Sequence, residues 1–371
     1  MVSSLLIPAL SAILAIASPI DNTQPRGTNP ISIASAEFLG NQTADNSCSH
    51  RDLGFPGSIN GKWYAVYGDT LWCAPGVTDP LKDDTSSFHG MVRDSVSLMT
   101  EDPLKVHDLF LNDDSPVPHQ KQFVPYNASW GEDASWGFGG TSLCETDADA
   151  KEAAIFFLRN ANDDGLKGAG IGRVKVLNGT PTVVERYGHN GYWWDSSTNP
   201  RYGDLLAYCD IWSDYIYAVG GAPTNVTDFI GSCYSYMVRV KKSEAFDLSK
   251  YQYWHGVQRG WSSTRLETFN SNTAIFWGVG QGQIVWNAHY DCYIFVHLSI
   301  AGDQVLLRTA KRPEGPWSAD VKAYDVSSSS PGGGMAYAGV AYPYLDHSGQ
   351  TLTVAYTKMP NCIEVVKLTF V

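Results

Sequence analysis

The chain has 371 residues, with 26 Lys and Arg against 38 Asp and Glu, a formal net charge of −12, and only 17% charged residues. That balance excludes nucleic acid and anionic membrane as partners, because both need basic patches. The length suits one large closed all-β architecture, and 12 Trp, 20 Tyr and 14 Phe on an acidic chain favour a carbohydrate partner.

The opening "MVSSLLIPALSAILAIAS" reads as a secretory signal over residues 1–17. Its apolar run, Leu5 to Ala17, is too short to span a bilayer, and Ala15-Ile16-Ala17 offers a small-residue cleavage site. Residues 18–30 form a lead-in, and residues 31–371 are expected to be one secreted, extracellular, monomeric domain. Four sequons at Asn41, Asn127, Asn178 and Asn225 are the expected glycosylation sites. The 7 cysteines suit an oxidising compartment, with at least one left unpaired, and none has C-x-x-C spacing for zinc. Cys48 and Cys73 flank the first hairpin and are the expected disulfide pair.

The next segment, "RDLGFPGSINGKWYAVYGDTLW" (51–72), holds two β-rich runs around a Gly-containing turn. As a hairpin it places Asp52 just before one strand and Asp69 just after the next, at the same end of both. Apolar runs like its second strand then recur as "EAAIFFLRN", "DYIYAVGGA", "DCYIFVHLS" and "TLTVAYTK". The interval is about 60 to 90 residues, room for one four-stranded unit with variable loops. Amphipathic helical patterns are almost absent. The expectation is an all-β, five-bladed β-propeller of four-stranded antiparallel blades. The last unit lacks a fourth strand and "ISIASAEFLG" (31–40) is left over, so the N-terminal strand is expected to close the ring and hide free edges. A two-sheet sandwich accounts for the strands but not for the recurrence.

In a propeller the inner strands converge on a channel, so Asp52 and Asp69 would share one mouth. Two carboxylates roughly 5–10 Å apart are what glycoside hydrolysis requires, one to protonate the leaving oxygen and one to attack the anomeric carbon or activate water. The competing reading is that both aspartates cap turns.

The stretch "DLGFPGSINGKWYAVYGDT" resembles the opening D-L-G … G-D-T pattern of a family of secreted five-bladed propeller glycoside hydrolases. That family includes bacterial endo-D-arabinanases, and its domain was formerly labelled as of unknown function. "AKRPEGPWS" (310–318) and "AYPYLDHSGQTLTVAYT" (341–357) resemble later segments of the same family. The resemblance implies Asp52 as nucleophile and Asp69 as acid/base, with retained anomeric configuration. It also implies an arabinan-like furanoside as the leading substrate and no required cofactor. A calcium ion in the central channel stays open, since some five-bladed glycosidases hold one. "VRDS" at Arg93-Asp94 departs from the pattern.

Further candidates for the same mouth are Arg51, Trp72, His89, Arg93, Asp94 and Asp204, with Glu267 as a spare acid and Trp136, Trp286 and Tyr337 as stacking aromatics. Asp204 would be a third carboxylate that raises the pair by like-charge repulsion, and Arg93 would clamp a sugar hydroxyl or a catalytic carboxylate. Each has a structural alternative: a turn cap for Asp204, a surface ion pair for Arg93, burial between blades for the aromatics. "GVGQGQ" lacks a βαβ context, and no G-x-S-x-G elbow occurs. The functional alternatives are a lectin-like propeller, which would repeat its binding motif in every blade, and a polysaccharide lyase, which would need more basic residues at the mouth.

Overall fold

The recurring apolar runs become strands buried on both faces, which is why they read as continuous rather than alternating. In Lys62–Trp72 the burial pattern is eiBBBBBiBBi, and Cys292–Leu298 is buried throughout. The computed structural model describes residues 28–45, 49–72, 90–109, 111–112, 119–161, 164–326, 335–359 and 361–371. The expected signal segment, the Cys48–Cys73 pairing and His89 lie outside the described residues.

The chain is all-β. Helical structure among the described residues is limited to a four-residue helix, α1 (Phe229–Ser232), and short 3₁₀ turns. After β1 (Ile33–Asn41), the first antiparallel meander is β2 (Ser49–Ile59), β3 (Lys62–Trp72), β4 (Ser95–Met99) and β5 (Lys105–Asp108). The second is β6 (Cys144–Asp147), β7 (Glu152–Asn160), β8 (Leu166–Leu177) and β9 (Thr180–Arg186). One parallel pair, Cys144 opposite Ser58, joins these two meanders into an 11-stranded sheet.

The third meander runs β10 (Leu206–Cys209), β11 (Tyr215–Gly221), β12 (Tyr234–Lys241) and β13 (Gln252–Trp254). The fourth is β14 (Gln283–Asn287), β15 (Cys292–Leu298), β16 (Gln304–Ala310) and β17 (Val321–Asp325). The last comprises β18 (Ala336–Ala341), β19 (Thr351–Lys358) and β20 (Cys362–Phe370). Its fourth strand is β1, antiparallel to β20 from Ile33 opposite Phe370 to Asn41 opposite Glu364. The leftover N-terminal segment therefore covers the edge of the C-terminal strand. The short outer strands β13 and β17 carry little pattern, which is why the sequence did not announce them.

The cores lie between meanders rather than within one. Val66, Ile155 and Phe157 pack the first on the second, and Phe156, Ala218 and Val238 pack the second on the third. Val219, Ile284 and Phe295 join the third to the fourth, and Val296, Val354 and Val366 join the fourth to the last. Phe55, Tyr67, Val340 and Val365 then pack the last meander against the first. Each buried apolar side chain of this size stabilises the fold by roughly 1.5–3 kcal/mol relative to exposure.

Candidate active site

The first hairpin holds both aspartates inside its ladder, not at its ends. Arg51 lies opposite Thr70 and Leu53 opposite Tyr67, so Gly68 and Asp69 together oppose the single residue Asp52. A second irregularity follows before Phe55, which pairs with Val66. Leu53 has φ 69° and Gly54 φ 80°, so the chain turns through the left-handed region immediately after Asp52. A buried leucine does not adopt that conformation freely. It is held there because its amide donates to Thr357 Oγ1 at 2.8 Å and its side chain, 5% exposed, is packed between β2 and the last meander. Paired bulges of this kind re-aim side chains. The expectation that Asp52 precedes a strand and Asp69 follows one is thus corrected, and neither residue is a strand cap.

Gly68 has its own reason to be glycine. A Cβ there would lie 2.3 Å from Asp52 Oδ1 and 3.0 Å from Leu53 Cδ1, so only a bare backbone lets the Asp52 carboxyl settle over β3.

The two carboxyls live in different environments. Burial pushes Asp52 up to about 7, the charge of Asp69 adds to the shift, and a hydrogen bond from Tyr337 opposes it. That bond runs from the Tyr337 hydroxyl to Asp52 Oδ2 at 2.8 Å. Asp52 Oδ1 is buried and has no partner of good hydrogen-bond geometry among the described residues, although the Asp69 and Asp52 amides lie near enough to favour the anion. Asp69 is more open, with its side chain 41% exposed and Arg93 Nη1 at 3.6 Å from Oδ1. Burial raises it too, and the Arg93 guanidinium offsets only part of that rise.

Arg93 and Tyr337 therefore meet the pair, Arg93 as an ion-pair partner and Tyr337 as a hydrogen-bond donor rather than a stacking ring. Arg51 faces the other way. It is buried at 4% exposure, bonded to Asp108 at 2.9 and 3.2 Å, and lies over the Tyr67 ring. Asp94 is fully buried and accepts the Phe123 and Val124 amides at 3.1 and 2.9 Å, a bracket for the chain that follows the first meander. Burial pushes it well above the carboxylate range, and Asp69 is close enough to add to that.

Asp204 binds Arg201 at 2.7 Å and the Gly221 amide at 3.0 Å. The carboxylate that raises Asp52 is Asp69. Trp72 stacks on His119 at 3.9 Å, and Trp136 lies under the Arg159 guanidinium at 4.5 Å. Glu267 is exposed on the segment between Ser262 and Phe276. Trp286 sits on β14 against Tyr293 and Trp212, away from Asp52 in the fold. Asn41, Asn178 and Asn225 are exposed, whereas Asn127 is half-buried and its side chain accepts the Ser129 amide. Among the described residues no cluster of three His, Cys, Asp or Glu is placed to hold a metal ion.

Thr357 and Gly68 act on the site and escaped the sequence reading, since a lone threonine near the C-terminus carries no signal of a contact 304 residues away. Glu132, a buried carboxylate held by Arg159 at 2.5 Å and Arg186 at 2.7 Å, also escaped the sequence reading.

The structurally similar proteins include enzymes that act on saccharides. The model for a domain of unknown function, DUF4185, matches residues 189–361, somewhat less than half the chain. This stretch contains both later segments, 310–318 and 341–357, but not the hairpin with Asp52 and Asp69. No curated protein matches the sequence. A candidate hydrolase from Bacteroides ovatus superposes with a TM-score of 0.60 at 14% identity, over 85% of each chain. An exo-β-1,3-galactanase from Phanerochaete chrysosporium gives 0.52 at 11% identity over 91% of this chain, which spans only 64% of the galactanase chain. The GH43_1 enzyme of Xanthomonas citri, solved with xylose, gives 0.51 at 13% identity over 90% of each chain. At such identities the likeness establishes a shared fold and leaves the chemistry to the site.

Proposed function

We propose that the protein is a secreted five-bladed β-propeller glycoside hydrolase that cleaves a polysaccharide with Asp52 and Asp69. The propeller reading is supported by the apolar clusters, which join each meander to the next and the last to the first. The catalytic reading is carried by one observation: two carboxyls face each other across a bulged ladder, one pushed up to about 7 by burial and the other, more exposed, raised less because Arg93 offsets part of the rise. When environment drives two titratable groups apart, it assigns the acid and the base.

Asp52, protonated near neutrality, gives its proton to the leaving glycosidic oxygen. Asp69, the more exposed and arginine-paired carboxylate, attacks the anomeric carbon. Water, deprotonated by Asp52, then releases the sugar from Asp69. These roles are the reverse of those the family resemblance implies. Retention of anomeric configuration is carried over from the family resemblance, since Asp52 and Asp69 face each other across a register shift rather than as a directly opposed pair. Tyr337 fixes the Asp52 rotamer through the 2.8 Å bond. An arabinan-like furanoside remains the leading substrate, from the sequence resemblance alone.

The test is reducing-sugar release from arabinan, β-1,3-galactan, xylan and related polymers by wild type, Asp52→Asn and Asp69→Asn. At least one polymer should be cut, and each variant should lose about three decades of rate, roughly 4 kcal/mol of transition-state stabilisation. Full activity in either variant would remove that residue from the mechanism. Saccharide binding with no cleavage by the wild type would make the protein a lectin.

A further inference from the structure

A second site lies at the other end of the first strands. The parallel pairing of Cys144 with Ser58 fixes β2 and β6 in one direction. Asp52 stands near the start of β2, while a cavity of about 460 Å³ is lined by its far part, from Pro56 to Ser58. Ser58 is up to roughly 20 Å from Asp52 at about 3.3 Å per residue. The rest of the lining comes from β6, β10 and β14 and the turn after β18, including Ser142, Tyr208 and Trp286, with Trp63 from the start of β3 and Lys242 from just after β12. The size is that of a small-ligand pocket, about 300–1,000 Å³.

The carboxylates here are already engaged. Asp210 accepts the Tyr293 hydroxyl at 3.0 Å and the Ser213 hydroxyl at 2.6 Å, and Glu145 accepts the Asn60 amide. Asp346 accepts the Thr351 amide and hydroxyl at 2.8 and 2.7 Å. The place is therefore not built for acid/base chemistry. Two features are unspent. The Ser142 side chain is only 4% exposed, yet its hydroxyl has no partner among the described residues. Beside the lining residues Ile211, 65% exposed, and Trp286, Trp212 lies outside the lining, is also 65% exposed and meets Trp286 edge-on with centroids 5.3 Å apart. An orphaned buried hydroxyl calls for an incoming polar group. Exposed indoles offer a flat apolar face beside polar neighbours, the complement of a sugar ring with its C–H face and equatorial hydroxyls.

We propose that this cavity is a non-catalytic saccharide-binding site, in which Trp286 stacks a sugar residue, Trp212 beside the cavity extends the apolar surface, and Ser142 bonds one of the sugar hydroxyls. It would hold a segment of polymer while another is processed at Asp52. This rests on the reading of the protein as a saccharide-processing enzyme, and binding can be separated from turnover.

The probes are arabino-, β-1,3-galacto- and xylo-oligosaccharides of two to six sugars, titrated calorimetrically into Asp52→Asn and into Asp52→Asn carrying Trp212→Ala. Trp212 is mostly exposed, so its loss spares the fold, and a Ser142→Ala version provides a second variant. The expected result is two sites per chain for at least one oligosaccharide, one of them weakened tenfold or more by Trp212→Ala and by Ser142→Ala. A single site unaffected by either substitution would overturn the proposal and leave the glycosidase reading intact. Failure of every oligosaccharide to bind would overturn it as well, and polymer cleavage by the wild type would then show whether the enzymatic reading survives.

Discussion

Asp52 is a carboxyl that the fold prefers neutral, and that preference has a signed consequence for stability. Its folded value of about 7 stands above the ordinary 3.8, so the native state binds this proton more tightly than the unfolded chain does. Well below pH 3.8 both states hold the proton and the full stability is present. As pH rises from 4 through 7 the unfolded chain releases it first, and stability falls by up to about 4 kcal/mol at 1.36 kcal/mol per unit. Asp52→Asn removes this dependence. Denaturant melts should show the variant more stable than wild type at pH 8, with the gap closing toward pH 4.5; a constant gap would mean that burial does not raise Asp52. The aspartates themselves were legible in the sequence because "DLG" and "GDT" flank a turn. Their unequal environments were legible only in part: Arg93 was expected against a catalytic carboxylate, but the Tyr337 hydrogen bond to Asp52 and the burial of Asp52 are encoded by no local pattern.

At the scale of the element, the site is made by a bulged hairpin rather than by strand ends. Two residues of β3 oppose one of β2, Leu53 is held in the left-handed region by Thr357, and Gly68 clears the space for Asp52. Gly68→Ala should therefore displace the Asp52 carboxyl while sparing the cores. Activity should fall about 100-fold, in line with misplacement of a catalytic group by an ångström or so, with a stability loss within about 2 kcal/mol. Unchanged kinetics would show that the close approach of Asp52 to β3 is not required. The hairpin was legible as apolar runs around "SING", but a bulge is set by tertiary contacts on both faces, so sequence spacing placed the aspartates at the wrong point of the strands.

At the scale of the molecule, the first and last strands depend on each other. β1 pairs with β20 along nearly its whole length, and the apolar cluster behind it includes Ile31 and Phe370. Deleting residues up to Asn41 would bare the edge of β20, an open template for intermolecular pairing. The truncated protein should aggregate on concentration and melt about 10 °C or more below the full chain. Equal stability would argue against this closure. The second strand of each meander was legible because a strand covered on both faces must be apolar throughout, and the N-terminal closure because one strand was left over while the last unit lacked its fourth. The far cavity was not legible, because its lining is drawn from separate meanders, and only the assembled fold brings Ser142 and Trp286 to one place.

The most direct test of the paired carboxylates is azide trapping with an aryl glycoside of whichever sugar the wild type releases, using Asp69→Ala and Asp52→Ala. With Asp69 as the nucleophile, azide occupies the space its carboxylate leaves, attacks the anomeric carbon and expels the aryl group. Asp69→Ala should then be accelerated by azide and yield a glycosyl azide of inverted configuration, whereas Asp52→Ala should yield one of retained configuration. The opposite pattern would return the roles to those the family resemblance implies, and no rescue of either variant would contradict the pair itself.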